Sequence, residues 1–407
     1  MGESTAVYKG FPTKAYVVEE KDGPFVLKDV VLDEVQADEV LVEIKYSGLC
    51  HTDIVVQHGG MPVGAYPAVL GHEAVGVVHQ IGSGVKDSSL RPGDAVILCY
   101  RSCLNCSACA DGRCGACPHM TEFNFVRSRL GGGKSPISYP DGTSVHGQFF
   151  GQSSLSKLAI VSERSVVRCD ANVEDLAPLT ALSCGYLTGA GTVINVLCPK
   201  PTSTLAILGM GAVGLAALLA AKAIGVTQIV AVDMVDDKLE LATSLGASHT
   251  INTSQSPDLV AAVHKIFPGG VDQILDTTGA GALLQASLDA LGHDGTLALV
   301  GVPRIGFKIQ VDALDLLTSC KRVIGVIEGH ADPKKVCTLH IHTSLFGAIA
   351  YDVHQIIPYL VQLHRDGKFP VERISKVYPA TKLDEALDDL KSGKVVKPLL
   401  SWDDVPA

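Results

Sequence analysis

The stretch 203–214, STLAILGMGAVG, restricts the fold of this chain more than any other. Its first part is a short apolar run of the kind that forms a strand buried on both faces. The next run, GAVGLAALLAAKAIG over 211–225, has the length and composition of a helix and stops at a glycine. Between them Gly209, Gly211 and Gly214 form a G-x-G-x-x-G turn. That spacing alone is weak in a glycine-rich chain, but a strand before it and a helix after it are the context in which it holds a dinucleotide. The first glycine permits the tight turn, the second lets backbone approach a pyrophosphate, and the third lets helix and strand pack closely. The helix N-terminus then faces the phosphates. Asp233 ends the next apolar strand, QIVAVD, nineteen positions beyond Gly214. A carboxylate there can hold the adenosine ribose hydroxyls and would repel a 2′-phosphate, which favours NAD over NADP. The plainer alternatives are an α/β domain without a nucleotide and an Asp233 that is only a solvated strand end.

The texture of the chain changes around this motif. From residue 200 on, apolar strands (203–209, 228–233, 271–279, 296–303, 321–326) alternate with helical stretches (211–225, 236–246, 282–292). Such alternation predicts a doubly wound parallel sheet covered on both faces, an α/β class. The first 185 residues read differently. Short Val- and Gly-rich runs such as 40–48, 74–82 and 94–100, set between Gly, Pro and Asp, predict a mostly-β, barrel-like part with few helices. The turn-rich segment 129–147 reads as a loop. Beyond 330, helices are expected at 353–369 and 383–394, and this tail is too short for a domain of its own. The expected organisation is therefore 1–185 completed by 328–407, with 186–327 as the parallel-sheet domain.

Charge removes other classes. With 33 Lys and Arg against 43 Asp and Glu, the net charge is −10, the wrong sign for a nucleic-acid binder. The longest apolar run is interrupted by Lys222 and is too short for a bilayer. The N-terminal residues have no signal-peptide core, and Ala6 stands where a myristoylation signal needs Ser or Thr. The expectation is a soluble, cytoplasmic protein with no membrane partner.

Twelve cysteines in such a chain point to thiols and metal ligands rather than a disulfide framework. Cys103, Cys106, Cys109 and Cys117 are spaced C-x₂-C-x₂-C-x₇-C. Four thiolates in one loop can close a tetrahedral structural zinc site, with an iron–sulfur centre or redox dithiols as alternatives. Cys114 makes a fifth, and spacing does not say which is spare. A second set is dispersed: Cys50 in GLCHTD, His72 and Glu73 in GHE, and Cys184 in LSCGYLTGAG. Two thiolates and an imidazole would leave a fourth zinc position open for water or substrate. Ordinary core residues are the alternative.

GLCHTD, GHE, the four-cysteine loop, CGYLTGAGTVINV and GMGAVG, in this order, resemble the zinc-containing medium-chain alcohol dehydrogenases along essentially the whole chain. HGQFFGQSS (146–154) looks most like the benzyl- and aryl-alcohol branch. The resemblance implies a GroES-like catalytic domain beside a Rossmann domain, one catalytic and one structural zinc, and a homodimer or homotetramer. It implies that Cys50, His72 and Cys184 bind the catalytic zinc with Glu73 close behind. Asp53 would orient His72, and Thr52 would take the alcohol proton. It places Thr188 and Val213 behind the nicotinamide, Lys238 at the adenosine ribose, and the Val300 and Val302 backbone at the carboxamide. The substrate would be a primary aryl or allylic alcohol, or the matching aldehyde.

Three positions depart from the liver ethanol enzymes of that family. Val55 stands where they end a proton relay with histidine, His51 where they keep an arginine on the pyrophosphate, and Lys397 where they keep another. His51 and Lys397 are thus expected at the cofactor phosphates. Tyr100 is a candidate aromatic wall of the pocket or a core tyrosine. The rival readings are a zinc-free quinone or enoyl reductase of the same superfamily and a non-catalytic NAD- or redox-sensing protein. Both fit poorly with an intact Cys50–Thr52–His72–Cys184 set.

Overall fold

The computed structural model describes residues 10–60, 64–333 and 356–406. One compact unit contains the chain up to Cys103, Pro118–Cys184 and the chain from Ser375 on. The other contains Leu104–Cys117 and Gly185–Ile374. In the first unit the strands are β1 (Phe11–Val18), β2 (Phe25–Leu32), β3 (Glu39–Gly48), β4 (Ala68–Val69), β5 (Ala74–Ile81), β6 (Ala95–Leu98), β7 (Ile137–Ser138), β8 (Ser144–Val145), β9 (Leu158–Ser162) and β10 (Val166–Arg168). The second unit holds β11 (Thr204–Leu208), β12 (Gln228–Asp233), β13 (His249–Asn252), β14 (Val271–Asp276), β15 (Leu291–Leu299) and β16 (Arg322–Gly325). The chain then returns to the first unit as β17 (Ser375–Pro379) and β18 (Lys397–Ser401).

The first unit is two sheets, β4-β1-β2-β7-β8 and β10-β6-β5-β3-β18-β17, with β9 also on β3. Ala15, Val17, Val30, Leu32, Leu41, Val69, Ile137, Val145, Leu158 and Ile160 form one core cluster of this unit. Strand β3 pairs with β5 along one edge and with β9 and then β18 along the other, so both of its edges are hydrogen-bonded. The returning tail is anchored by Trp402, fully buried, whose indole N–H donates to Ser47 Oγ at 2.9 Å.

The second unit is a six-stranded parallel sheet in the order β13-β12-β11-β14-β15-β16. Successive strands run outward from β11 to β13, then jump back to β14 on the other side. In this doubly wound order, ligands bind outside the carboxyl ends of the strands where the direction reverses, here β11 and β14.

Two boundaries differ from expectation. Residues 328–333 and 356–374 lie in the parallel-sheet unit, where Arg373 donates to Ser244 Oγ at 3.0 Å; only the last strands and their helix rejoin the β unit. The four-cysteine loop from Leu104 to Cys117 also groups with the parallel-sheet unit. Strand β13 and the helices Leu259–Ile266 and Gly185–Gly191 were not expected: the first is a polar HTIN run, and the last is nearly half glycine. Among the described residues no helix is long and apolar enough to cross a membrane.

Candidate active site

GLCHTD sits where β3 runs out. Gly48 N–H donates to Glu73 O at 2.8 Å, which fixes the end of β3 against the residues that precede β5. A Cβ on Gly48 would stand 2.2 Å from a Glu73 carboxylate oxygen, so only glycine fits. Cys50 then precedes the helix His51–Gln57. Gly71 has φ +91°, and a Cβ there would stand 2.3 Å from Leu155 N; this tight bend presents His72. On the third side, Ser183 Oγ accepts from Ala74 N at 3.1 Å, which ties the segment ending in Cys184 to the start of β5. Ligand atoms of Cys50, His72, Glu73 and Cys184 all come within 4.8 Å of one another.

Asp53 holds this cluster from behind. It is buried, and its Oδ1 lies 3.1 Å from His72 Nδ1 and accepts from Gly71 N at 3.0 Å, while Oδ2 accepts from Cys50 N at 3.2 Å. A proton on Nδ1 facing this carboxylate leaves Nε2 as the free lone pair, the arrangement that serves a metal ligand. Nε2 of His72 is buried without a hydrogen-bond partner, a costly orphan unless something binds it. The Cys50 thiol is held well below its usual range by its hydrogen bond with Cys184 and the nearby His72 and Lys397, against burial. Burial opposes a charge on His72, but Asp53 and Cys50 outweigh it and raise its pKa. Two thiols and an imidazole gathered this closely fit zinc, which would bind them as thiolates and neutral imidazole and release their protons.

Glu73 corrects one expectation. Lys397 is 3% exposed, and its ammonium donates to Leu49 O at 3.2 Å and to the two Glu73 oxygens at 3.0 and 2.8 Å. An ammonium has three protons, and all three are engaged here. Lys397 therefore stands behind the cluster and has no donor for a cofactor phosphate. Strand pairing explains this: Leu399 lies opposite Gly48 in β18–β3, which carries Lys397 under the turn. Burial still pushes the Glu73 carboxyl upward, with Lys397 opposing it.

A cluster of phenylalanines missed in the sequence packs against His72. Phe150 stacks on the His72 ring at 4.6 Å between centroids, and Phe149 meets it edge-on at 5.5 Å. Phe125 packs edge-on against both phenylalanines. The signal was present in HGQFFGQSS, but nothing in it says which ring reaches the histidine. Tyr100 is buried in the same unit. Thr52 is half-buried and His51 exposed in the first turn of the helix.

Sγ atoms of Cys103, Cys106, Cys109 and Cys117 also lie within 4.8 Å of one another. Cys114 is outside the group, buried in the short helix Cys114–Ala116. Cys106 Sγ accepts from Cys109 N at 3.5 Å, folding the loop around the thiols.

In the parallel-sheet unit the glycine turn follows its own logic. Gly209 has φ +92°, a Cβ on Gly214 would stand 1.8 Å from Gly209 O, and one on Gly211 would meet nothing within 4 Å. Asp233 Oδ2 accepts from Met210 N at 2.7 Å, so the strand-end acid is pinned beside this turn. A Cβ on Gly189 would stand 2.0 Å from Val213 O, so the turn carrying Thr188 packs closely on the residue it was grouped with. Val300 N–H is given to Asp276 O at 3.0 Å; Val302 is exposed and Lys238 half-buried.

The family model described as zinc-binding dehydrogenase matches residues 212–340, and that of the alcohol dehydrogenase GroES-like domain matches 36–171. A geraniol dehydrogenase of Castellaniella defragrans is 36% identical over 95% of this chain and 97% of its own length. The crystal structure of benzyl alcohol dehydrogenase from Acinetobacter calcoaceticus has a TM-score of 0.84 at 37% identity, covering 96% of this chain and 99% of that one. An alcohol dehydrogenase zinc-binding domain protein from Burkholderia ambifaria has a TM-score of 0.88 at 37% identity, covering 98% and 100%.

Proposed function

Because this chain belongs to the zinc-containing medium-chain alcohol dehydrogenase family, an oxidoreductase family acting on CH–OH groups, we propose that it interconverts a primary aryl or allylic alcohol and its aldehyde with NAD. The observation that carries this reading is the Cys50–His72–Cys184 cluster with its orphaned His72 Nε2 and a phenylalanine stacked on the same ring. Flat, apolar rings at the metal-facing histidine favour a substrate whose carbinol is attached to a π system. The two relatives named for geraniol and benzyl alcohol are consistent with it.

A zinc at Cys50, His72 and Cys184 would act as a Lewis acid on the substrate oxygen, and nicotinamide would carry the hydride. The chain supplies the rest. Asp53 keeps His72 in the tautomer that leaves Nε2 for the metal. Lys397 neutralises Glu73, so the buried carboxylate does not add an uncompensated charge beside two thiolates. Thr52 Oγ1 accepts the alcohol proton; Val55 ends the relay there, so the proton passes on to ribose or water. Asp233 selects NAD over NADP. The four-cysteine group would hold a second, structural zinc.

A homo-oligomer is proposed on separate grounds. Val302, Ile305, Leu314, Leu317 and Val323 are 82, 90, 68, 73 and 40% exposed along the segment leading into β16, the outer strand of its sheet among the described residues. Apolar side chains beside an open strand edge suit a second copy of the chain.

The test is an assay of benzylic, allylic and aliphatic primary alcohols with NAD⁺ and NADP⁺. The reading expects kcat/KM highest for benzylic or allylic alcohols with NAD⁺. Activity confined to NADP⁺ removes the role of Asp233, and a preference for short aliphatic alcohols removes that of the phenylalanine cluster.

A further inference from the structure

The turn Glu328–His330 takes no part in the chemistry above, yet it is costly to build. Glu328, Gly329 and His330 have φ of 49°, 61° and 49°. Left-handed backbone is unfavourable for residues with a side chain, and it persists only where the surroundings impose it. Two neighbours in the same unit do so. On one side the four-cysteine loop presses close: Gly115 N donates to Ala331 O at 3.2 Å, and a Cβ on Gly115 would stand 2.1 Å from Ile327 O. On the other side is the helix Gly185–Gly191 and its continuation. A Cβ on Gly329 would stand 2.6 Å from Gly191 Cα, and Asn195 Nδ2 donates to Gly329 O at 3.1 Å. Held between them, Glu328 is 6% exposed, and its carboxylate accepts the Thr188 hydroxyl at 3.1 Å.

We propose that Glu328 is a positioning residue for the nicotinamide half of the cofactor: it fixes the Thr188 hydroxyl, and the four-cysteine loop braces the turn that carries it. This rests on the reading of Thr188 as a wall of the nicotinamide site. A threonine committed as donor to a buried carboxylate has one side-chain rotamer rather than two, so the surface it offers the ring is preformed. The structural metal loop then serves the cofactor site as well as the fold.

Titrating the purified holoenzyme with NADH and with ADP-ribose, which lacks the nicotinamide, tests this. Glu328→Ala should weaken NADH about two- to threefold, the scale of releasing one short side chain from a fixed rotamer, and leave ADP-ribose unchanged. Glu328→Gln, which keeps an acceptor oxygen, should restore most of the NADH affinity. In a Thr188→Ala background, Glu328→Ala should add nothing, since the two residues act as one unit. Gly115→Ala, which pushes on Ile327 O, should reproduce the selective NADH loss with zinc content unchanged. Equal losses for NADH and ADP-ribose, or no loss in Glu328→Ala, would overturn the proposal. Failure of the wild type to bind either ligand would instead overturn the cofactor reading on which it rests.

Discussion

Cys50 and His51 are neighbours in the chain with opposite surroundings: Cys50 shares a cluster with Cys184 and His72, while His51 is exposed. The histidine that matters to Cys50 comes from another strand end, and the one adjacent to it does not. Asp53 makes the difference, because it joins Cys50 N, Gly71 N and His72 Nδ1. Asp53→Asn should lower the metal affinity of this site about 10- to 100-fold, as loss of a partner behind a ligand does; competition with a chelator measures it, and unchanged affinity would remove Asp53 from the site. Lys397 makes a sharper case. Lys397→Ala leaves Glu73 buried without its ammonium, and chemical unfolding should show a loss of about 3 kcal/mol with KM for NAD unchanged. A raised KM at unchanged stability would return Lys397 to the phosphates. At this scale, much of the two clusters could be read from GLCHTD, GHE and the four-cysteine spacing. Lys397 could not, because its partner is set by the pairing of strands far apart in sequence.

At the scale of elements, close backbone approach explains most of the glycines that matter. Gly48, Gly71 and Gly214 each stand where a Cβ would collide with a neighbouring atom at 2.3 Å or less. Gly214→Ala should therefore reduce thermal stability and NADH affinity together, read by calorimetry and by titration. A stable variant with normal affinity would mean that the helix can shift to make room. The strands around the motif were legible because burial on both faces leaves their middles apolar, with polar residues mostly at the ends. The helix Gly185–Gly191 was not: glycine is a poor helix former, and tertiary packing against the start of the next helix overrides that propensity. The phenylalanine cluster shows a related gap. Phe149 and Phe150 were visible as a pair, but Gln148 and Phe150 have left-handed backbone, φ 60° and 53°, so their direction does not follow from a strand or helix pattern.

For the molecule as a whole, the sequence gives two folds of different texture, and the late return of the chain is what it conceals. The apolar helix Ile356–Arg365 fits either unit by pattern; only packing assigns it. The returning segment carries a pH-sensitive carboxylate. Lys394 and Tyr378 hold the Asp389 carboxyl down from 3.8 to about 2. A depressed folded-state pKa contributes stability above the unfolded value, and that stability is lost as pH falls toward the folded one. The gap in Tm between wild type and Asp389→Asn should be present at pH 7 and narrow below pH 4; a gap constant down to pH 3 would contradict the assignment. The central claim, that two separate cysteine-containing clusters hold zinc in two different roles, one catalytic and one structural, is tested most directly by the zinc content of purified wild type and Cys184→Ser, with alcohol oxidation measured on the same samples. The account predicts about two zinc ions per chain in the wild type, and about one with activity lost in the variant. One or no zinc in the wild type, or a variant that keeps full activity with one, would contradict it.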